Sequence, residues 1–232
     1  MVTAFIPVRG GSKSIPLKNI RPFCGKPLVY WTVKALQDAE KVDRIFVATD
    51  SKEIEEAVNS FGMSKVQIFH RSAENAKDTS TTASVVLEFL ERMQIPDDDT
   101  FILVQATSPL TSAADIDGGL TKFESGDYDS MLSCVRNKRF FWREDGTPIN
   151  YDYLKRPRRQ EFKGQLMENG AFYINTPANI KKVGNQLGGK IGIYEMPEYT
   201  SVEIDEPDDW IILERLMKRH YPEALSEDGF HD

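Results

Sequence analysis

The strongest constraint on this chain lies at its start, where the apolar run of residues 3–8 is cut short by Arg9-Gly10-Gly11-Ser12-Lys13-Ser14-Ile15-Pro16-Leu17-Lys18-Asn19. A short apolar run reads as a buried strand, and its abrupt end leaves a loop until a helical pattern begins near Pro27. Glycines let backbone N–H groups approach an anion with no Cβ in the way, while Arg9, Lys13 and Lys18 supply opposing charge. A strand that empties into such a loop is a phosphate-binding design. The spacing matches neither a P-loop nor G-x-G-x-x-G, which weighs against P-loop hydrolases and dinucleotide dehydrogenases. An enzyme that holds a nucleoside triphosphate extended, with its α-phosphorus open to a second substrate, fits better.

Beyond the loop, helical and strand patterns alternate. Residues 27–38 carry Leu28, Trp31, Val33 and Leu36 near helical spacing, with Pro27 suited to a first turn. Residues 44–49 form an apolar strand, and residues 51–61 form a helix with Ser51 as its cap and Glu53 and Glu55 at its positive end. Strands follow at 66–69, 101–104, 130–135, 169–175 and 191–196, with helices at 80–93, 116–123, from Pro177, and at 207–220. This alternation predicts an α/β fold built on a mostly parallel sheet with helices on both faces. In such sheets ligands bind beyond the C-terminal ends of the strands, where Arg9, Asp50, Arg71, Gln105 and Arg136 emerge or follow.

Residues 137–168 change character. Lys138, Arg139, Phe140, Phe141, Trp142, Arg143, Arg156, Arg158 and Arg159 crowd a segment with a turn at Asp145-Gly146, read as a hairpin or small subdomain outside the sheet. Cations among aromatics can suggest nucleic acid, but a net charge of -7 repels phosphate backbones. Contact with a partner subunit is the favoured reading, because clustered exposed Phe and Trp are costly on a monomer. The expected organisation is one α/β domain from residues 1–136 and 169–225, an inserted element at 137–168, and a frayed tail at 226–232.

Two cysteines, Cys24 and Cys134, and three histidines give no zinc spacing and no disulfide framework, as expected of reduced thiols in a cytoplasmic protein. A secretory leader pattern and an apolar run of membrane-spanning length are both lacking, so a soluble protein with no membrane partner is expected.

Val202-Glu203-Ile204-Asp205 alternates apolar and acidic residues, so an extended backbone places both carboxylates on one face. The pair has three readings: a solvated face, a cap by Asp205 for the helix starting at Pro207, or a Mg²⁺ site. Mg²⁺ takes carboxylate, phosphate and water oxygens and offsets charge on a departing pyrophosphate, which is the chemistry the basic loop would need.

These residues together resemble the acylneuraminate cytidylyltransferases, the CMP-sialic acid synthetases, over nearly the whole chain. The resemblance is carried by Arg9-Gly10-Gly11-Ser12-Lys13 with Pro16-Leu17-Lys18-Asn19, and by Ala48-Thr49-Asp50. It continues through Arg71 with Asp78-Thr79-Ser80, residues 105–110 (Gln-Ala-Thr-Ser-Pro-Leu), residues 169–174 (Asn-Gly-Ala-Phe-Tyr-Ile) and Glu203-Ile204-Asp205. It implies a Rossmann-like nucleotidyltransferase fold and transfer of CMP from CTP to the anomeric hydroxyl of a nine-carbon α-keto acid sugar, with Mg²⁺ and release of pyrophosphate. It also implies that Arg9, Ser12 and Lys13 grip phosphates, that Asn19 orients the nucleotide, and that Arg71, Ser80 and Thr82 contact cytosine and ribose. Gln105 and Tyr173 correspond to sugar contacts, Arg143 and Arg159 to carboxylate-binding cations, and residues 137–168 to a dimerisation element that makes each site partly shared. Glu203 stands where an aspartate is common, and Met167 where some members carry a cation.

In-line attack on the α-phosphorus is expected, driven by positioning and charge neutralisation, with Asp205 as the main metal ligand and Glu203 assisting. Competing readings are nucleotidyl transfer to an eight-carbon keto sugar or a sugar phosphate, and a non-catalytic nucleotide-binding protein on the same fold.

Overall fold

A computed structural model of the chain describes residues 1–11, 14–77 and 79–222. Strand β1 (Val2–Pro7) leads into a 3₁₀ turn at Lys18–Ile20 and a small ribbon of β2 (Pro22–Phe23) and β3 (Lys26–Pro27), followed by α1 (Leu28–Asp38). Next come β4 (Arg44–Thr49), α2 (Lys52–Asn59), β5 (Val66–His70), α3 (Thr82–Arg92), β6 (Thr100–Val104), α4 (Ala113–Ser125) and β7 (Ser130–Asn137). After an excursion, β8 (Gln165–Asn175), α5 (Pro177–Val183), β9 (Ile191–Met196) and α6 (Pro207–His220) complete the fold.

Seven strands form one sheet in the order β5-β4-β1-β6-β8-β7-β9. All neighbours pair in parallel except β8, which is antiparallel to both β6 and β7. The expected mostly parallel sheet is therefore present, and the exception has a topological cause. The crossover through α4 returns β7 in the direction of β6 with a one-strand gap between them, and the chain fills that gap on its way back from the excursion.

Alternation along β1 feeds two cores. Ala4 and Ile6 pack with Val33, Leu36, Ile116 and Leu120 of α1 and α4, while Phe5 faces the opposite side with Phe89 of α3 and Ile180 of α5. Phe89 is the hub of that second core, with ring centroids 4.7 Å from Phe5 and 4.8 Å from Phe46. A third cluster joins Ile15, Phe23, Leu28, Trp31, Ile204 and Trp210. Because Ile15 and Ile204 are both almost fully buried in it, the basic loop and the acidic segment are pinned to one piece of core.

Several boundaries differ from expectation. Pro27 closes β3 and is the N-cap residue of α1 rather than part of its first turn, because the Leu28 N–H is taken by the Arg21 carbonyl across the ribbon. The excursion rejoins the sheet at Gln165, not after Glu168, since residues 165–168 extend β8 against Cys134 to Asn137. Within it, the turn at Asp145-Gly146 closes a hairpin as expected, with Gly146 at φ 81° and Arg143 N donating to the Thr147 carbonyl at 2.8 Å. The N-cap residue of α6 is Glu206, and Asp209 accepts from the N–H groups of Asp205 and Glu206 at 3.0 and 2.8 Å. The side chain of Asp205 thus has no capping role. Among the described residues no helix is long and apolar enough to cross a membrane. The expected tail at 226–232 lies outside the described residues.

Candidate active site

Past β1 the chain stays tied to the end of β4. Val8 N donates to the Ala48 carbonyl at 2.9 Å and Gly10 N donates to Asp50 Oδ1 at 3.0 Å. A Cβ at Gly10 would sit 2.9 Å from the Cβ of Ser51, so glycine permits this close approach, whereas Gly11 faces open space. Ser51 itself caps α2 as its sequence position predicts, accepting from Ile54 N. Asn19, buried, returns Nδ2 to the Arg9 carbonyl at 3.1 Å and closes the loop on itself. Lys18 crosses to the acidic segment, where Nζ donates to the Ile204 carbonyl at 2.7 Å and lies 3.4 Å from Asp205 Oδ1. The Lys18 side chain is only 13% exposed while that of Asp205 is 73% exposed, so the lysine is fixed and the carboxylate is available.

Two cavities open above this floor. One, of about 330 Å³, is lined by Ser14, Lys18, Asn19, Ala106, Thr107 and Asp205, and the other, of about 250 Å³, by Arg71, Lys77, Ser80, Thr81, Thr82 and Val85. Pro7, Arg9 and Gln105 line both, so the two are compartments of one cleft divided at Arg9 and Gln105. The second compartment receives the N-terminus of α3, capped by Thr81, whose unpaired N–H groups and dipole favour an anion. Arg71 is held by its Nε bond to the Ala48 carbonyl at 3.0 Å. Burial lowers its pKa below the ordinary range, with Asp50 and Glu88 opposing and the neighbouring charge of Arg9 adding to the shift. A phosphate between the two guanidinium groups would relieve that repulsion. Ser80 Oγ meanwhile donates to the Glu74 carbonyl at 2.8 Å.

The other end is acidic. Glu203 is half-buried against Gly170, which adopts φ 66° and has no room for a Cβ beside the carboxylate. Thr107 Oγ1 donates to Glu203 Oε2 at 3.4 Å. Burial raises the Glu203 pKa, Asp205 and Glu168 push it the same way, and Thr107 and Lys18 pull against them. Tyr173 is buried and its hydroxyl donates to Glu168 Oε1.

The fold brings Arg9, Lys18, Asn19, Arg71, Ser80, Thr82, Gln105 and Asp205 to the cleft walls, with Gly10 beneath and Glu203 and Tyr173 on the acidic side. Ser12 and Lys13, expected to grip phosphates, and Asp78 lie outside the described residues. Arg143 and Arg159 line neither compartment: Arg143 bonds Thr147 Oγ1 at 3.3 Å in its hairpin, and Arg159 pairs with Glu198 at 3.1 Å. Arg136 does not emerge at the cleft as expected, because β7 continues past it and its guanidinium is held by Glu195 of β9 at 2.6 and 2.8 Å. Lys77 escaped the sequence reading, and Ser14 and Thr107 lay inside its motifs without an assigned role. The signal for Thr107 was its place in the turn after an apolar strand.

Among the described residues no group of three or more His, Cys, Asp or Glu side chains is arranged to hold a metal. Glu203 and Asp205 offer two hard oxygen donors, and burial already disfavours charge on Glu203. That donor set suits a cation completing its shell with substrate oxygens and water, as Mg²⁺ does.

The cytidylyltransferase family model matches residues 3–224. The chain is 40% identical over 226 residues to the N-acylneuraminate cytidylyltransferase of Oncorhynchus mykiss, covering 94% of this chain and 50% of that one. It is 28% identical over 214 residues to the enzyme of that name from Streptococcus agalactiae, covering 89% of this chain and 51% of that one. The chain thus spans about half the length of the curated relatives it matches. Its fold resembles that of CMP:2-keto-3-deoxy-manno-octonic acid synthetase complexed with CTP, with TM-score 0.70, 18% identity and coverage of 94% and 98%. It also resembles 4-diphosphocytidyl-2C-methyl-D-erythritol synthase from Anaerococcus prevotii, with TM-score 0.66, 12% identity and coverage of 94% and 96%. The resemblance drawn from the motifs is borne out by the relatives' names.

Proposed function

Because the chain belongs to the cytidylyltransferase family, we propose that it transfers CMP from CTP to the anomeric hydroxyl of a nine-carbon α-keto acid sugar, a sialic acid or related nonulosonate, and releases pyrophosphate. The single observation that carries the reading is the divided cleft, with Arg71, Lys77 and the N-terminus of α3 in one compartment, Lys18 and the exposed Asp205 in the other, and Arg9 and Gln105 common to both. Cytosine and ribose occupy the compartment of Arg71, Ser80 and Thr82. The triphosphate crosses Arg9, Gly10 and Gly11, with Ser12 and Lys13 as further ligands and Asn19 orienting the nucleotide. The acceptor sugar enters beside Gln105 and Tyr173.

The anomeric oxygen attacks the α-phosphorus in line, forming the new P–O bond as the α–β anhydride bond breaks. Arg9 and Lys18 offset charge on the transferring group, and positioning supplies most of the acceleration. The hydroxyl proton passes to water as the new bond forms. Glu203 and Asp205 are the residues that would hold Mg²⁺, which when bound neutralises the leaving pyrophosphate.

The active form is a cytoplasmic homodimer. Trp142, Tyr153 and Leu154, 46%, 56% and 78% exposed on the excursion, form the contact, and Arg143 and Arg159 serve the partner's site. Light scattering that finds only monomer at micromolar concentration would discard the dimer. The activity itself is tested by pyrophosphate release with each of the four nucleoside triphosphates, Mg²⁺ and a panel of eight- and nine-carbon keto sugars. CTP with a nine-carbon sugar should stand alone, and turnover with another pairing overturns the assignment.

A further inference from the structure

Strand β8 contains an irregularity that its sheet pairing does not require. Leu132 of β7 faces Tyr173, yet Cys134 faces Glu168, so one residue of β7, Ser133, spans residues 169–172 of β8. In an unbroken strand, side chains five positions apart point to opposite faces and lie roughly 16 Å apart, at about 3.3 Å per residue. Here the slack folds through Gly170 at φ 66°, and Ser133 Oγ accepts from the displaced Phe172 N–H at 3.0 Å. The result is the direct bond from the Tyr173 hydroxyl to Glu168 Oε1. Bulges beside binding sites serve to re-aim side chains in this way.

The chemistry of that bond is directional. A phenol whose only proton is committed to a carboxylate has lone pairs left for other partners and can only accept from them. Burial first, then the bond to Glu168, raises the Tyr173 pKa well above the ordinary phenol range, so the hydroxyl keeps its proton. We infer that Glu168 is a positioning residue for the acceptor sugar, fixing Tyr173 Oη as a hydrogen-bond acceptor that meets a sugar hydroxyl or amide N–H and turns the sugar carboxylate away. The inference rests on the reading of Tyr173 as an acceptor-side contact. It assigns acceptor orientation to a carboxylate acting through a tyrosine.

The test is steady-state kinetics with CTP and N-acetylneuraminate varied separately. Removal of a positioning hydrogen bond predicts that Glu168→Ala raises the acceptor KM about tenfold with the CTP KM unchanged, while Glu168→Gln, whose amide oxygen still accepts from Tyr173, stays within about threefold. In a Tyr173→Phe background, Glu168→Ala should add nothing further. An equal rise on both backgrounds, or an equal rise in the CTP KM, overturns the inference. A second readout does not need turnover: with ¹³Cζ-labelled tyrosine, the NMR line lost in Tyr173→Phe should shift in Glu168→Ala, and an unmoved line also overturns it. If no keto sugar is turned over by the wild type, the proposed function and the sugar-orienting role fall together, while the NMR line still decides whether Glu168 holds Tyr173.

Discussion

The cleft and the carboxylate cluster beside it are held by different kinds of contact. In the cleft the polar side chains are tied to main chain: Asn19 to the Arg9 carbonyl, Lys18 to the Ile204 carbonyl, Arg71 to the Ala48 carbonyl. On the acidic side, carboxylates are held by other side chains, Glu203 by Thr107 and Glu168 by Tyr173, and they repel one another. Main-chain anchoring makes the first wall rigid at the cost of few side-chain choices. The second wall can change acceptor preference by substitution without disturbing the first.

The largest test of that contrast is Arg9→Ala, since Arg9 lines both compartments. Loss of about 10³ in kcat/KM is expected, with weaker binding of both substrates, and circular dichroism should show an intact fold. An effect confined to one substrate would break the picture of a shared divide. Next, Asp205→Asn should lower kcat about 100-fold and raise the Mg²⁺ concentration needed for half-maximal rate, with metal-free CTP affinity unchanged.

Glu203 gives a smaller, pH-dependent effect. Burial lifts its folded pKa above the ordinary carboxylate range, so the folded state binds the proton more tightly than the unfolded chain. Its contribution to stability is greatest below the unfolded carboxylate range and declines as pH rises through the raised folded pKa. Glu203→Gln should remove the decline, so thermal unfolding between pH 4 and 8 should show the variant gaining a few degrees on the wild type toward high pH. The smallest effect separates the two loop glycines. Gly10→Ala should cost about 1–3 kcal/mol by crowding Ser51, and Gly11→Ala less than about 0.5 kcal/mol, measured by urea unfolding.

The same contrast explains what was legible in the sequence. Local patterns predicted β4 at its exact bounds and the Ser51 cap, because short apolar runs and caps are read from neighbours in the chain. Arg9, Arg71 and Gln105 were found because each follows a strand toward one sheet edge, whereas Asn19, in the Lys18–Ile20 turn, came from the motif resemblance. The bond between Tyr173 and Glu168 was not, since it exists only through a bulge whose register depends on β7. Arg136 was misplaced for a related reason: where a strand stops depends on the length of its partner, and β8 carries the pairing on to Asn137. Pro27 satisfied a helix-start rule, but the β2–β3 ribbon of two residues per strand is too short to leave a periodicity.

The insertion of β8 between β6 and β7 also sets an order of assembly. Strands β1, β4, β5 and β6 pair through short crossovers within the first 104 residues, whereas β8 docks only after β7 and the excursion have been made, at a larger loop-closure cost. The Arg71 compartment can thus reach native hydrogen-exchange protection before the carboxylate cluster does. CTP present during refolding should capture that half-assembled sheet and speed the recovery of protection in β1 and β4 without accelerating β8.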